Sequence, residues 1–332
     1  MLTNSQTPQA SPAPAVAADV IPEIAVIVPV YNGRSMLQEL CSRLISALSS
    51  VTQDFIIVLV DDAAPDNPWP LICQISKNER RIRAIRLSRN FGQHHALTAG
   101  IDMARAHWYV IMDCDLQDSP EDIPLLYIKA KEGYDVVAGL RKKEGHSQIK
   151  RYSSRPFYAL FRLLSGVKLD WSTGNFRIFS DAVADGFRSM REQLRFVPAS
   201  FEWMAFETAY VKLPHHPRAE GQSSYTIRKL VRLATNTIIA NSHIPLNIVA
   251  LLGLVMSVIT FIVALIYFSR ALILGTSVAG WTSLFVTMLF LSSFQIALMG
   301  VLGIYIGKTF DESKRRPLYI VRETVNFHER DA

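Results

Sequence analysis

The chain has 332 residues, of which 49% are hydrophobic, and its formal net charge is +6 at pH 7. This positive charge suits contact with anionic lipid, whereas no motif in the sequence supports nucleic-acid binding. The three cysteines, Cys41, Cys73 and Cys114, show no paired spacing. That argues against a disulfide scaffold or a zinc motif and favours a reducing compartment.

Alternating strands and helices are predicted from residue 24 onwards. The first 22 residues lack the basic start and apolar core of a signal peptide, and their Pro, Ala and polar content predicts a disordered tail. Short apolar or β-branched runs then predict strands at residues 24–30, 55–60, 82–87 and 107–112. Amphipathic segments between them predict helices at residues 35–48, 66–78 and 93–106. This alternation predicts right-handed crossovers and a mainly parallel α/β sheet that is covered on both faces.

Three acidic or polar turns fall at the carboxyl ends of these strands, at residues 29–33, 61–66 and 113–117. Ligands bind at this edge of a parallel sheet, so one site could collect all three turns. Side chains two apart on an extended segment share a face, and Asp113, Asp115 and Gln117 are therefore expected to converge. Such oxygen ligands suit Mg²⁺ or Mn²⁺. A lone D-x-D motif is weak by itself, because any strand can end in acidic turn residues.

Asp61 and Asp62 follow the second strand, where a carboxylate can accept hydrogen bonds from a nucleobase or ribose. Their alternative roles are turn formation and helix capping, and capping is the preferred role for Asp66 because an Asn-Pro pair follows it. The paired His94 and His95 are expected to open the third helix rather than to bind a metal, since no H-E-x-x-H pattern is present. No Ser-His-Asp order indicates covalent catalysis.

Two long apolar segments, residues 244–268 and 281–307, are uncharged and long enough to cross a bilayer as helices. The alternative, a pair of buried core helices, is disfavoured because soluble helices of this length carry a polar face. The connection at residues 269–280 contains only one basic residue, Arg270. The segments before the first and after the second apolar segment contain more basic residues, namely Arg228, Lys229, Arg232, Lys308, Lys314, Arg315, Arg316 and Arg322. The positive-inside rule then places both termini and the domain with the predicted sheet in the cytoplasm.

Two further segments are predicted to be amphipathic helices lying on the membrane surface. Residues 151–168 combine an apolar stripe with basic residues, and residues 226–243 repeat that pattern just before the first span. Packing against the sheet is the alternative for both. The predicted division is thus a tail (1–22), a catalytic domain (23–225), a juxtamembrane helix (226–243), two spans (244–308) and a cytoplasmic C-terminal tail (309–332).

Several strings, taken together and in order, resemble the family 2 glycosyltransferases, and in particular their membrane-bound polyprenyl-phosphate branch. The strings are IVPVYN, VDDAAPD, RLSRNFGQHHALTAGID, IMDCDLQDSPE, AGLRKKEG, STGNFRIFS, EGQSSYTIRKLVRLA and GIYIGKTFDESKRRPLYIVRE. The resemblance implies a GT-A nucleotide-diphospho-sugar transferase fold with a Rossmann-like sheet, and a homo-oligomer, in this family a tetramer. It also implies an inverting transferase that uses Mg²⁺ or Mn²⁺ at Asp113, Asp115 and Gln117.

The resemblance assigns further residues by position. Nucleotide-sugar contacts would come from Pro29, Tyr31, Asn32, Asp61, Asp62, Asn90 and Asp113. The catalytic set would comprise Asp113, Asp115, Asn175 and Arg177, and Arg141 and Arg155 would bind the lipid phosphate. Two positions depart from the family pattern: Gly33 stands where an acidic residue is usual, and Asn175 stands where an aspartate proposed as a base is frequent.

The resemblance implies transfer of a sugar, with UDP favoured as its nucleotide, to undecaprenyl or dolichyl phosphate on the cytoplasmic membrane face. A phosphate monoester is already anionic at neutral pH, since its second pKa is ~6, so Asn175 is tolerable in place of a base. Two alternatives stay open. One is extension of a glycan or lipid-linked oligosaccharide; the other is a catalytically silent nucleotide-sugar-binding membrane subunit, motivated by Gly33 and Asn175.

Overall fold

The computed structural model describes residues 21–141, 173–213, 242, 244–274 and 280–327. The N-terminal tail, both predicted interfacial helices and Arg155 lie almost entirely outside these residues, and for Arg141 only the backbone is described.

The described catalytic part is an eight-stranded sheet with helices on both faces. The strands are β1 (Ile24–Val30), β2 (Phe55–Asp61), β3 (Ile82–Leu87), β4 (Trp108–Ile111), β5 (Val136–Arg141), β6 (Thr173–Ser180), β7 (Thr208–Leu213) and β8 (Val321–Val325). The helices are α1 (Leu37–Ser49), α2 (Trp69–Asn78), α3 (Gln93–Met103), α4 (Ile123–Ala130), α5 (Asp181–Ser189) and α6 (Val197–Met204). Short 3₁₀ turns occupy Arg34–Met36 and Pro120–Asp122.

The sheet order is β7-β5-β6-β4-β1-β2-β3-β8. β4, β1, β2 and β3 are parallel neighbours, whereas β6 runs antiparallel to both β4 and β5. β5 therefore runs in the same direction as β4, and the carboxyl ends of β1, β2, β4 and β5 meet at one edge. The predicted α/β class with a mainly parallel sheet is confirmed, in agreement with the GT-A fold that the resemblance implies.

The central strands are apolar on both faces because each face is covered. Every residue of β1 and β2 is buried. One hydrophobic cluster joins the sheet to α1, α2 and α4, and the other joins it to α3, α5 and α6. Alternate side chains of one strand enter different clusters, as Val26 and Ile27 do. The positions of the strand ends are thus set by packing on both faces of the sheet.

Two long apolar helices follow, α7 (Ile244–Leu274) and α8 (Trp281–Ser313). Each contains a stretch long and apolar enough to cross a membrane, Ile244–Val263 with mean hydropathy 2.6 and Phe290–Ser313 with mean hydropathy 1.7, and neither stretch is buried by the rest of the protein. Large apolar side chains such as Phe261 and Leu254 are mostly exposed along them. Apolar surface of this extent is stable in contact with lipid rather than water.

The segment after α8 returns to the catalytic sheet. β8 pairs antiparallel with β3, and the backbone N–H of Ser88 donates to the carbonyl of Ile320. The side chain of Asn326 donates to the carbonyls of Ser76 and Ile82. The sequence predicts only a cytoplasmic tail here, because five residues with charged and β-branched side chains carry no strong strand pattern.

Candidate active site

A cavity of about 430 Å³ opens at the carboxyl ends of β1, β2 and β4. Its volume falls within the range of ~300–1,000 Å³ that is usual for ligand pockets. Six residues singled out from the sequence line it: Pro29, Tyr31, Asp62, Asn90, Asp113 and Asp115. Val30, Gly92, Gln93 and Cys114 complete the lining. Asn32, Asp61, Gln117, Asn175 and Arg177 were also singled out, but they do not contribute to its wall.

The two aspartates of the D-x-D motif are held by different contacts. Asp113 Oδ1 accepts a hydrogen bond from Gln93 Nε2 at 2.6 Å, and Asn175 Nδ2 lies 3.5 Å from the same oxygen. Asp115 Oδ1 accepts the backbone N–H of Gln117 at 3.2 Å, across a tight turn in which Leu116 has a φ of 56°. The Gln117 backbone therefore shapes the turn.

The donor set fits a hard divalent cation that takes its remaining ligands from elsewhere. Within the described residues, no group of three or more His, Cys, Asp or Glu side chains is placed to hold a metal ion. Asp113 and Asp115 nevertheless line one cavity with room for a ligand. Mg²⁺ is commonly bound by one or two carboxylates together with substrate phosphates and water, and this arrangement matches that pattern.

Asp61 and Asp62 are adjacent in the chain, but their side chains contact different parts of the protein. Asp62 faces the cavity, and its two oxygens accept the backbone N–H groups of Phe91 at 2.7 Å and Gly92 at 2.8 Å. Asp61 accepts the backbone N–H of Ala64. Burial raises the pKa of both carboxyl groups. Asp62 thus anchors the loop that forms the opposite wall of the cavity.

Asp61 belongs to a network of ion pairs and hydrogen bonds that extends to the C-terminal strand, β8. Arg86 Nε lies 3.6 Å from Asp61 Oδ2, and Arg86 Nη1 donates to Glu323 Oε1 at 3.0 Å. Trp69 Nε1 donates to the other oxygen of Glu323 at 3.0 Å. Glu323 lies beyond α8 in the chain, so residues on both sides of the apolar helices build this corner of the catalytic domain.

Packing explains why residue 33 is a glycine. A Cβ atom at this position would lie 2.6 Å from the sulfur of Cys114. The backbone of Gly33 has a φ of −124°, so space and not backbone conformation requires glycine. Burial raises the pKa of the Cys114 thiol to about 11, which keeps it neutral between two aspartates. Glycine at position 33 therefore leaves the space that the side chain of Cys114, the middle residue of the D-x-D motif, occupies.

Asn175 and Arg177 lie on one face of β6, but only Asn175 reaches the D-x-D motif. Arg177 is buried, with its guanidinium 4.6 Å from the centre of the Phe201 ring. It donates to the carbonyls of Gly174 at 2.9 Å and Asn175 at 3.3 Å. Burial lowers its pKa to about 10. Arg177 lines a separate cavity of about 180 Å³ and holds the backbone of the strand that carries Asn175.

The start of α3 contains a site residue that the sequence interpretation missed. Gln93 is the first residue of α3, and it lines the cavity and contacts Asp113. Its neighbour His94 packs edge-on against Phe196, and burial lowers the pKa of His94 to about 4. The only signal for Gln93 in the sequence was its position directly after a glycine turn at a strand end.

Comparison with known proteins identifies relatives along most of the chain. A family model described as glycosyl transferase family 2 matches residues 25–190. An uncharacterised glycosyltransferase of Synechocystis sp. is 33% identical over 91% of this chain and 95% of its own length. An uncharacterised glycosyltransferase of Bacillus subtilis is 32% identical over 91% of this chain and 94% of its own. The undecaprenyl-phosphate 4-deoxy-4-formamido-L-arabinose transferase of Proteus mirabilis is 30% identical, over 92% and 94% respectively.

Proposed function

The chain belongs to glycosyl transferase family 2, and we propose that it moves a sugar from a nucleotide sugar, preferably a UDP-sugar, to a polyprenyl phosphate. The observation that carries the proposal is the pair Asp113 and Asp115 on the wall of a cavity, in a domain joined to two apolar helices. The 30% identity to a transferase named for undecaprenyl phosphate, over nearly the whole length of both chains, supports the acceptor class.

Asp113 and Asp115 are proposed to hold Mg²⁺ or Mn²⁺, with Gln117 as a further ligand. When bound, the cation would neutralise the diphosphate leaving group as the bond to the sugar breaks. Pro29, Tyr31, Asn32, Asp62 and Asn90 are proposed to form the nucleotide side of the site. Four of these five line the cavity, and Asn32 lies in the same turn as Tyr31.

The lipid phosphate is proposed to be the nucleophile. With a second pKa of ~6 it is anionic at neutral pH, so a strong general base is not needed. Asn175 fits this chemistry, because its amide lies 3.5 Å from Asp113 Oδ1 and a carboxylate there would face another carboxylate. One direct displacement at the sugar carbon inverts its configuration.

Arg141 and Arg155 are proposed to recognise the acceptor phosphate, for which the planar guanidinium is well suited. Arg141 is the last residue of β5, which runs parallel to β4. Its backbone is therefore at the same edge of the sheet as the cavity. Arg155 belongs to the predicted interfacial helix outside the described residues.

The protein is proposed to lie in the cytoplasmic membrane with both termini and the catalytic domain in the cytoplasm, where both basic flanks would be. The pairing of the segment after α8 with β3 supports this proposal, because two strands of one sheet would lie on the same side of a membrane.

The test is sugar transfer by the purified full-length protein in detergent. Undecaprenyl phosphate is supplied with a panel of labelled nucleotide sugars, and one labelled lipid product is expected. Asp115→Asn should reduce transfer by orders of magnitude with its thermal unfolding unchanged, and EDTA should do the same reversibly on adding Mg²⁺ or Mn²⁺. Transfer to water or a free glycan, with none to the lipid, would contradict the proposal.

A further inference from the structure

Gln93 reaches the D-x-D motif from a different element of the fold. It is the first residue of α3, and its side-chain Nε2 donates to Asp113 Oδ1 at 2.6 Å. Its side chain borders the open cavity, where an amide could instead be solvated. The short contact to a carboxylate is a charge-assisted hydrogen bond, which is stronger than a bond between neutral groups.

The backbone that presents Gln93 is held from both sides. Before it, the N–H groups of Phe91 and Gly92 both donate to the carboxylate of Asp62. Gly92 has a φ of 97°, a conformation that glycine adopts without strain. After it, α3 is anchored in the core by a run of buried residues from Ala96 to Ile101. Gln93 therefore approaches Asp113 from a fixed position.

We propose that Gln93 is a positioning residue that orients the Asp113 carboxylate for a divalent cation. This rests on the proposed function, because it concerns the metal site of that reaction. A neutral amide suits this role, because it fixes the carboxylate by a hydrogen bond and adds no positive charge of its own beside the two aspartates. A lysine at the same place would compete with the cation for the negative charge of the aspartates. Partners that orient a ligand in this way typically contribute ~10–100-fold to metal affinity.

A different role for the same side chain, direct contact with the diphosphate of the nucleotide, predicts a different pattern. A positioning residue changes the affinity for the metal and leaves nucleotide affinity at saturating metal nearly unchanged. A diphosphate contact leaves the affinity for metal alone unchanged and weakens nucleotide binding even when the metal is saturating. The two roles are therefore separable by binding measurements that do not depend on turnover.

The experiment compares the full-length wild-type protein in detergent with Gln93→Met, which keeps the length of the side chain and removes its N–H donors. Gln74→Ala is the matched control, because Gln74 is an exposed glutamine on α2 outside the cavity. Mn²⁺ binding is followed by the electron paramagnetic resonance signal of free Mn²⁺, and UDP binding by calorimetry at saturating Mn²⁺. Thermal unfolding checks that each variant is folded.

The expected result is a Mn²⁺ dissociation constant at least tenfold higher for Gln93→Met, with UDP affinity within threefold of the wild type and Gln74→Ala unchanged. A Mn²⁺ affinity within threefold of the wild type would overturn the inference, as would a wild-type protein that takes up no Mn²⁺. If transfer to the lipid survives EDTA, the inference fails together with the proposed metal site, and only the proposed sugar transfer to the lipid stands. If the Gln93 effect is found but no lipid phosphate accepts sugar, the inference stands and the acceptor assignment falls.

Discussion

Gly33 and Cys114 should behave as a coupled pair, and Gly33→Ala is the perturbation that shows it. The new Cβ would lie 2.6 Å from the Cys114 sulfur and 3.5 Å from the Cβ of Cys114. Carbon atoms in contact prefer a separation of ~3.5–4.0 Å, so the sulfur or the backbone must move. Overpacking of this kind costs ~1–3 kcal/mol.

In a domain of this size, such a cost corresponds to a fall in the unfolding temperature of roughly 2–12 °C. Because Cys114 stands between Asp113 and Asp115, its displacement should also raise the Mn²⁺ concentration needed for half-maximal transfer. Cys114→Ala removes the sulfur, so Gly33→Ala should cost much less in that background, with a coupling energy of ~0.5–3 kcal/mol.

Thermal unfolding of the full-length protein in detergent measures the four members of this cycle. Gly300→Ala is the control, because no atom of the described residues, apart from its chain neighbours and the backbone of its own helix, lies within 4 Å of the Cβ it would add. The reasoning is refuted if Gly33→Ala is as stable as the wild type, or if its cost is the same with and without the Cys114 sulfur. The first result would mean that the loop yields freely, and the second that the strain arises elsewhere.

Three further outcomes are expected. Asn175→Asp should give no large gain in transfer, and a tenfold gain would favour a hydroxyl acceptor and a true general base. Arg141→Ala should raise the KM for lipid or lower kcat, with nucleotide binding little changed. Burial keeps His94 neutral in the folded protein by lowering its pKa to about 4, whereas the unfolded chain takes up that proton near pH 6.5. Protonation of the unfolded chain therefore lowers the free energy of unfolding below pH 6.5, by about 2 kcal/mol at pH 5. His94→Phe should flatten the pH dependence of unfolding between pH 7.5 and 5, and an unchanged slope would contradict this. A cysteine introduced by Thr276→Cys should react with an impermeant thiol reagent from outside intact cells and one introduced by Ser11→Cys should not; the reverse would invert the topology.

Local sequence pattern determined the elements of the first part of the sheet domain well. The β-branched runs and the helical periodicity between them predict β1 to β4 and α1 to α3 within a few residues, because both patterns depend on neighbouring side chains. The two apolar helices follow from composition in the same way. Parallel strands separated by helices also place the turns after β1, β2 and β4 at one edge, which is why six of the expected site residues line one cavity.

The different roles of Asp61 and Asp62 depended on the tertiary structure. Consecutive side chains at the end of a strand point to opposite faces, so only Asp62 lines the cavity. Asp62 is bonded by the backbone of Phe91 and Asp61 is paired with Arg86, and both partners come from other segments of the chain. The same holds for β8, whose strand exists because the edge of β3 supplies its hydrogen bonds.

The contact of Gln93 with Asp113, and the space that Gly33 leaves for Cys114, also join residues from separate loops. No periodicity records such a contact, since it depends on how far the packed layers bring one strand end towards another. The sequence by itself therefore determined the first four strands, the helices between them, the two apolar helices and the edge of the sheet at which the candidate site lies. The tertiary structure decided which side chains meet there, because each of those contacts joins segments that are remote in the chain.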